Sequence, residues 1–320
     1  MMQLDEIPFD RYAREVLPQT AALWAGRRDF QSYVTQTQEI ARSGYGRRHY
    51  RTLGFYDDGK LVASIKRYDR TLHFGAHRLR ALGIGAVFTP EEYRGRGYAT
   101  AMLASLLDVS RASGYDIAYL FSDIRPEFYQ ELGFVPLPSR AMSLRADGLP
   151  KARVEVRTLE DSDWNAVRRC YDLGERNREW GFVRTPLVWE WIRLRIRHGS
   201  EHPTGTQTNL IVRRGRSIAA YVLGLRAPEH DAYILDEYGF ADSDAASLVG
   251  PLLRSAAGDL QRITGWLPPS GAREVLPKAS VRHRKNAILM AAALTRNAQR
   301  WIDLAAVPKT GDGVWSSDHI

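Results

Sequence analysis

A predicted strand, a glycine-rich turn and a predicted helix follow one another in the first half of the chain. The strand LGIGAVFT (82–89) is apolar, and YRGRGYATAML (93–103) places Gly95 and Gly97 directly before residues with helical apolar spacing. A helix start leaves backbone N–H groups unpaired and carries the positive end of the helix dipole. Glycines there let a phosphate reach those groups, although they also serve tight strand-to-helix turns. The feature therefore predicts a phosphate-containing ligand.

Two familiar phosphate-binding loops do not match this turn. The P-loop requires Gly-Lys-Ser/Thr, whereas Tyr98 and Ala99 follow Gly97. The dinucleotide-binding turn requires a third glycine three residues after the second, and that position is Thr100. Cofactor classes that depend on those two loops are therefore disfavoured.

The same order of predicted elements occurs twice along the chain. Each half starts with helical residues and continues with a hairpin, a third strand, a long helix and a short strand. The two hairpins turn at Gly59 and Gly215, and sequence identity between the halves is low. The corresponding segments are 8–43 and 157–173 for the first helices, 49–68 and 208–226 for the hairpins, 82–89 and 232–240 for the third strands, 99–114 and 244–260 for the long helices, and 116–122 and 262–268 for the short strands.

The second copy differs chemically from the first at the turn before its long helix. This turn reads ADSDAASL (241–248) and contains neither of the Arg-Gly pairs found in the first copy. We therefore expect a duplicated fold in which only the first half keeps the anion site.

Composition and charge limit the other kinds of ligand. The formal charge of +8 suits an anionic ligand, but the arginines are scattered without a long basic run, so nucleic-acid binding is not expected. Gly199 and Ser200 are among the three residues between His198 and His202, and a Pro follows, so no metal site is expected there. No run approaches 18 apolar residues, and a membrane span is not expected either.

The N-terminal residues and the single cysteine indicate a compartment. The start MMQLDEIPFDRY contains acidic residues and no apolar segment, so no secretion signal is expected. Cys170 has no second cysteine to pair with, which fits a reducing cytosol. We expect a cytoplasmic protein, and the sequence does not indicate its oligomeric state.

Two motifs resemble the GNAT superfamily of N-acetyltransferases. The first follows the strand, and its core of Arg, two residues, Gly, one residue and Gly or Ala is met by Arg94, Gly97 and Ala99. The second, FYQELGF (128–134), is similar to the family's Tyr-x-x-x-Gly-Phe element and contains Tyr129. Their order, with a helix and a strand between them, is more specific than either motif alone.

The resemblance implies a fold class and a division of the chain. It implies an α/β (α+β) protein of two tandem GNAT folds, each a mixed, mainly antiparallel central sheet flanked by helices. The expected domains are a catalytic domain over 1–147 and a degenerate GNAT-like domain over 152–320. The pair is similar to the first two domains of acetyltransferases of the enhanced-intracellular-survival type, without the sterol-carrier-like domain that follows them there.

The resemblance also implies the reaction and its residues. Acetyl-CoA, without a metal, would give its acetyl group directly to a primary amine of a small molecule, an amino acid or a peptide in a ternary complex. Tyr129 would protonate the departing thiolate, although it is also suited to simple packing on its helix. The residues implied to bind acetyl-CoA are Val87, Phe88, Thr89, Arg94, Gly95, Arg96, Gly97, Tyr98, Ala99 and Thr100.

Acceptor binding and the general base are less defined. Trp24 is a candidate for the acceptor cleft or for the core, and Ser122 and Asp123 end the strand that leads toward the thioester. Asp123 is equally suited to capping the next turn. The ending VWSSDHI (314–320) is interpreted as a terminal strand between the two halves. Alternative functions are a catalytically silent CoA-binding sensor or scaffold, and a transferase of a longer acyl group.

Overall fold

The computed structural model describes residues 2–26, 28–123, 126–176, 178–198, 205–269, 275–307 and 311–320. These residues form two mixed, mainly antiparallel eight-stranded sheets flanked by helices, as predicted. In chain order the strands are β1 (Gln3–Glu6), β2 (Tyr50–Asp57), β3 (Lys60–Phe74), β4 (His77–Phe88), β5 (Ile117–Ser122), β6 (Val135–Pro136), β7 (Arg140–Arg145), β8 (Val156–Thr158), β9 (Trp180–Phe182), β10 (Thr206–Gln207), β11 (Leu210–Arg214), β12 (Ser217–Ala227), β13 (Ala232–Phe240), β14 (Arg262–Trp266), β15 (Ser280–His283) and β16 (Ile288–Ala293).

Several helices begin after a residue whose side chain caps the helix. Asp29 accepts a hydrogen bond from the Ser32 N–H at 2.9 Å, and Thr185 caps a helix whose first residue is Pro186. In chain order the helices are α1 (Phe9–Glu15), α2 (Leu17–Trp24), α3 (Phe30–Arg42), α4 (Gly44–His49), α5 (Tyr98–Ala112), α6 (Pro126–Gln130), α7 (Trp164–Glu175), α8 (Pro186–Arg197), α9 (Ser243–Ala246), α10 (Val249–Ala257) and α11 (Arg296–Ala305).

The first sheet contains the strands that precede and follow the glycine turn. Its order is β1-β2-β3-β4-β5-β16-β6, with β9 paired to β3. Strands β4 and β5 are parallel, and the other neighbours are antiparallel. The predicted hairpin between β2 and β3 turns at Asp58 and Gly59, both with positive φ.

The second sheet repeats this pattern. Its order is β15-β7-β14-β13-β12-β11-β8, with β10 paired to β12. Here β13 and β14 are the parallel pair. The repeat of element order that the sequence predicts is therefore a repeat of topology around one parallel pair in each half.

The strands of each sheet cross the predicted boundary between domains. Strand β16, from the end of the chain, lies between β5 and β6 of the first sheet. Strand β7 lies between β14 and β15 of the second sheet. The division into 1–147 and 152–320 stays a prediction about domains, because each sheet is completed by strands from the other side of it.

The two halves also share a hydrophobic core. Trp191 of α8 stacks on Tyr45 of α4, with ring centroids 5.4 Å apart, and lies 6.1 Å from the ring of Tyr68 in β3. All three residues are buried. Burial of these large rings between the halves stabilises their relative position, since each aromatic side chain removes a large apolar area from water.

The last residues of the chain lie between the two sheets. The prediction of a terminal strand over 314–320 is wrong, because Ser316–Asp318 form a 3-10 turn. Asp318 accepts hydrogen bonds from Arg70 and Arg184, each at 2.8 Å. Burial opposes ionisation of Asp318, but the two guanidinium groups hold its pKa below the ordinary value. The buried charges anchor the tail where a strand would leave them unpaired.

Neither a membrane-spanning helix nor a metal site is expected from the sequence, and the structure bears on both only within the described residues. None of the described helices is long and apolar enough to cross a membrane. No group of three or more His, Cys, Asp or Glu in the described ranges could hold a metal ion. The His198 ring lies 2.6 Å from the Glu39 carboxylate, and His202 lies outside the described residues.

Candidate functional site

Strand β4 contains a bulge beside the predicted acetyl-CoA residues. Ser64 of β3 pairs with Phe88, and Lys66 pairs with Gly85, so β4 has one extra residue between these pairs. Ala86 at this point has a left-handed φ of 49°. A bulge interrupts the ladder and bends its strand, which frees backbone groups of β4 for another partner.

The parallel pair β4–β5 opens just beyond this bulge. Pairing runs from Ala81–Ile117 to Ile84–Leu120 and then ends, although β4 continues to Phe88 and β5 to Ser122. The predicted residues Val87, Phe88 and Thr89 therefore lie on the β4 side of an opening. Such an opening exposes backbone amides that a ligand can contact.

The glycine turn leaves the start of α5 uncovered. Gly95 and Gly97 have φ values of 73° and 78°, and an added Cβ at either would meet no described atom within 4 Å. Gly97 is the N-cap residue and no side chain caps the helix. The first helical bond runs from Ala101 N–H to Gly97 O, so the N–H groups of Tyr98, Ala99 and Thr100 are not used within α5.

The side chains around the turn are occupied by the chain itself. Arg94 Nε donates to Thr89 O at 3.2 Å, and the Arg96 guanidinium lies 5.8 Å from the centroid of the Tyr93 ring. The Tyr98 hydroxyl donates to Asp57 at 2.8 Å. These contacts hold the turn, while the backbone N–H groups remain directed at the helix start.

Tyr129 lies in α6 and packs against the same hydrophobic cluster as Val87 of β4. Its ring centroid is 5.0 Å from that of Phe128 and 6.1 Å from that of Phe134. Its carbonyl accepts hydrogen bonds from Leu132 and Phe134 N–H, which fixes the turn that ends α6. Burial, followed by the Asp123 carboxylate, raises the pKa of Tyr129, so the phenol stays protonated at neutral pH.

The three predicted acceptor residues have different surroundings in the structure. Trp24 packs edge-on against Phe88, with centroids 6.4 Å apart. Asp123 accepts a hydrogen bond from Ala287 N–H at 3.0 Å, so its carboxylate joins the end of β5 to the start of β16. Ser122 is buried and, by strand alternation, points away from the face of Phe121.

His319 and Ile320, in the last residues of the chain, lie beside the strands that form the opening. Sequence reasoning did not identify them as residues of the site. The His319 ring lies 4.8 Å from Phe121 and 5.5 Å from Trp266. A Cβ at Gly83 would lie 2.7 Å from Ile320 Cδ1, so this glycine is required by the approach of the tail. The spacing of Gly83 and Gly85 along one strand face is the signal that could have indicated a close approach.

Sequence reasoning also missed Lys66, which pairs with Gly85 across the bulge. Its ammonium lies 5.9 Å from the centroid of the Tyr12 ring. Burial, followed by the charge of Arg28, lowers the pKa of Lys66 to about 8. Its place on the central strand could not be linked to Tyr12 by sequence spacing.

Comparisons with known proteins agree with this geometry. Residues 11–137 match the model of the acetyltransferase (GNAT) domain. A search of the curated proteins found no match.

Three solved structures resemble most of the chain. A GCN5-related N-acetyltransferase from Anabaena variabilis has a TM-score of 0.71 at 14% identity, over 92% of this chain and 73% of that chain. Eis1 from Mycobacterium abscessus has a TM-score of 0.62 at 14% identity, over 92% and 74%. A tandem GNAT protein from the clavulanic acid biosynthesis pathway has a TM-score of 0.52 at 11% identity, over 92% and 99%. These likenesses show the fold.

Proposed function

We propose that the protein transfers the acetyl group of acetyl-CoA directly to a primary amine, because residues 11–137 match the model of the acetyltransferase (GNAT) domain. The family uses acetyl-CoA or another acyl-CoA as co-substrate. One observation carries the proposal: the uncapped start of α5 follows β4, which borders the opening, and Tyr129 packs against the same hydrophobic cluster as Val87 of β4. The acceptor would be a small molecule, an amino acid or a peptide.

The start of α5 fits the pyrophosphate of a CoA molecule. The N–H groups of Tyr98, Ala99 and Thr100 carry the positive end of the helix dipole. Gly95 and Gly97 place no side chain in the approach to them. Arg94 and Arg96 are exposed at the rim and add positive potential to the same place.

The opening in the first sheet fits the acyl end. Backbone N–H groups of Val87, Phe88 and Thr89 would polarise the thioester carbonyl and stabilise the negative charge that develops on its oxygen. The preorganised strand supplies these donors without reorganisation during the reaction. Trp24, packed on Phe88, would border the path of the amine.

Tyr129 supplies a proton donor at the same opening. A phenol of raised pKa holds its proton at neutral pH, and a CoA thiolate gains from protonation as it leaves. Donation from the Tyr129 hydroxyl to the sulfur would therefore lower the barrier to departure. Burial, followed by the nearby Asp123 carboxylate, raises the pKa of Tyr129, so the phenol is in its acid form.

An acceptor screen tests the proposal. Release of the CoA thiol is measured with acetyl-CoA and with octanoyl-CoA against a panel of amines, amino acids and peptides. We expect release with acetyl-CoA and at least one primary amine. Tight CoA binding without turnover on any amine would instead support a silent CoA-binding protein, and faster turnover with octanoyl-CoA would support a transferase of longer acyl groups.

The Tyr129→Phe variant tests the acid in the same assay. We expect kcat to fall on the order of 100-fold while the Kd for CoA changes less than about twofold. Tyr56→Phe is the matched control, because Tyr56 lies in β2 and contacts Arg11. Equal turnover of Tyr129→Phe and the unchanged protein would remove Tyr129 from the mechanism.

A further inference from the structure

The segment that connects the two sheets near the opening contains a buried arginine. Arg284 follows β15 of the second sheet, and its N–H donates to Ser139 O at 2.9 Å. Four residues later β16 begins its course through the first sheet. Ala287 N–H, in the same segment, bonds to the Asp123 carboxylate at the end of β5. Arg284 is therefore tied to the end of the first sheet at which β4 and β5 separate.

The guanidinium group of Arg284 has an unusual environment. Arg284 is only 8% exposed, and its Cζ lies 3.6 Å from the centroid of the Trp266 ring. None of its three guanidinium nitrogens has a hydrogen-bond partner among the described residues. Burial lowers the pKa of Arg284 to about 10, against the favourable charges of Asp312 and Asp123. A stacked ring stabilises the cation but accepts none of its hydrogen bonds.

The two carboxylates near Arg284 already have other partners. Asp312 accepts a hydrogen bond from Arg140 Nε at 2.7 Å, and Asp123 accepts one from Ala287 N–H at 3.0 Å. Neither of them forms a salt bridge with Arg284 in the described part of the chain. The five N–H donors of Arg284 are thus buried without acceptors among the described residues, which is costly unless a ligand supplies acceptors.

The position of Arg284 relates these free donors to the acceptor side of the opening. The Trp266 ring on which it stacks also contacts His319 and Phe121, with centroids 5.5 and 5.4 Å away. Phe121 is the first residue of β5 beyond the last pair with β4. The pyrophosphate proposed at the start of α5 already has the amides of that helix as donors. The donors of Arg284 are then left for the second substrate.

We propose that Arg284 binds a carboxylate of the amine acceptor, so that the acceptors are amino acids or other amines bearing a carboxylate. This inference rests on the proposed function. A guanidinium presents paired N–H donors in a plane that matches the two oxygens of a carboxylate. Trp266 holds that plane in one orientation.

Matched pairs of acceptors test the inference. Each amino acid that is acetylated is compared with its carboxamide, which has the same amine and no negative charge. We expect kcat/KM to be on the order of 10- to 100-fold higher for the carboxylate, the usual range for hydrogen bonds to a charged group. Amidation makes the amine less basic and leaves more of it unprotonated, so intrinsic reactivity works against this preference.

Variants assign the preference to one residue. Arg284→Gln should reduce the preference to within about twofold, and Arg284→Lys should keep part of it. Arg282→Gln is the matched control, because Arg282 is exposed two residues earlier in β15, and it should keep the full preference. Loss of turnover on both members of a pair together with a lower melting temperature in Arg284→Gln would show a structural role and overturn the inference.

Binding measurements separate this inference from the proposed function. Calorimetric titration of each pair into the protein with CoA should show tighter binding of the amino acid, whether or not turnover occurs. Turnover on amines without any preference for the carboxylate would overturn the inference and leave the proposed function standing. Tighter binding of the amino acid than of its carboxamide, without turnover on any amine, would overturn the proposed function and leave this inference standing.

Discussion

The two halves of the molecule start their central helices differently. α5 begins at Gly97, where no side chain caps the helix and φ is 78°. α9 begins after Asp242, whose carboxylate accepts a hydrogen bond from Ala245 N–H at 2.8 Å and pairs with Arg214 at 3.1 Å. An anion thus already occupies the helix start of the second half, and it belongs to the chain itself.

The openings in the two sheets also differ in whether groups of the protein itself fill them. Pairing of β13 with β14 ends at Leu235 and Gly265, as that of β4 with β5 ends in the first half. The next residue, Asp236, accepts a hydrogen bond from Ser316 at 2.9 Å, and Glu237 pairs with Arg184 at 2.7 Å. The tail therefore closes the second opening. The second sheet has the same topology as the first, and groups of the protein itself occupy the positions at its opening.

Adding the second half's carboxylate to the first half should have the largest effect. Gly97→Asp puts an anion at the start of α5 and requires a side chain at a positive φ. We expect the Kd for CoA to rise on the order of 100-fold, measured by calorimetry. Gly215→Asp, at a φ of 62° in a hairpin of the second half, should leave the Kd unchanged. Unaltered CoA binding by Gly97→Asp would contradict the assignment of the pyrophosphate site.

An intermediate effect, on stability, is expected from the charged residue beside the first opening, Lys66, which differs from its counterpart Glu237 beside the second. Glu237 is ion-paired, whereas Lys66 has no ion-pair partner among the described residues and its pKa is about 8 instead of 10.5. Below pH 8 both folded and unfolded states are protonated, and the cost of burying the charge is fully present. Between pH 8 and 10.5 the unfolded state binds more protons, so stability rises with pH.

Lys66→Met removes this pH dependence. At pH 7 the variant should be more stable by roughly 1–2 kcal/mol, which is less than the full shift implies because the side chain is partly exposed. The difference should shrink as pH rises to 10.5, as measured by urea unfolding at each pH. Lys60→Met, at an exposed position of β3, should show no such trend. A constant difference across the range would contradict the lowered pKa of Lys66.

The smallest effect should come from opening the helix start of the second half. Asp242→Ala removes the cap of α9 and should lower the free energy of unfolding by about 1 kcal/mol. CoA should still bind in one copy, because the second opening remains filled by the tail. The control Asp244→Ala changes a carboxylate in the same turn that does not cap the helix. Binding of a second CoA would show that the Asp242 cap alone prevents CoA binding in the second half.

Local patterns predicted the elements of both halves, because periodicity and turn residues act over a few neighbours. The hairpin at Gly59 and the helix after Gly97 are examples, and the repeat of element order is confirmed as a repeat of topology. The region predicted as helical over 8–43 divides into α1, α2 and α3, since Pro18 and the residues around Gly26 interrupt it. The function of Tyr129 and of the cofactor residues stays a prediction.

The parts that could not be predicted depend on contacts between distant segments. Nothing near Arg284 in the sequence places it on Trp266, and nothing near β16 shows that it completes the first sheet. The wrong prediction of a strand over 314–320 has the same origin. Apolar residues such as Val314 suit a strand, but the pairing of Asp318 with Arg70 and Arg184 favours the turn.

The sequence by itself determined where an anion can meet a helix, since the positive φ of two glycines and the absence of a cap are local properties of α5. Only the tertiary structure decided which opening remains available and which is closed. That outcome depends on a tail that reaches both sheets and on buried charges more than 130 residues apart, such as Arg184 and Asp318. Coulombic attraction in a buried region selects such partners by distance in space, which spacing along the chain does not reveal.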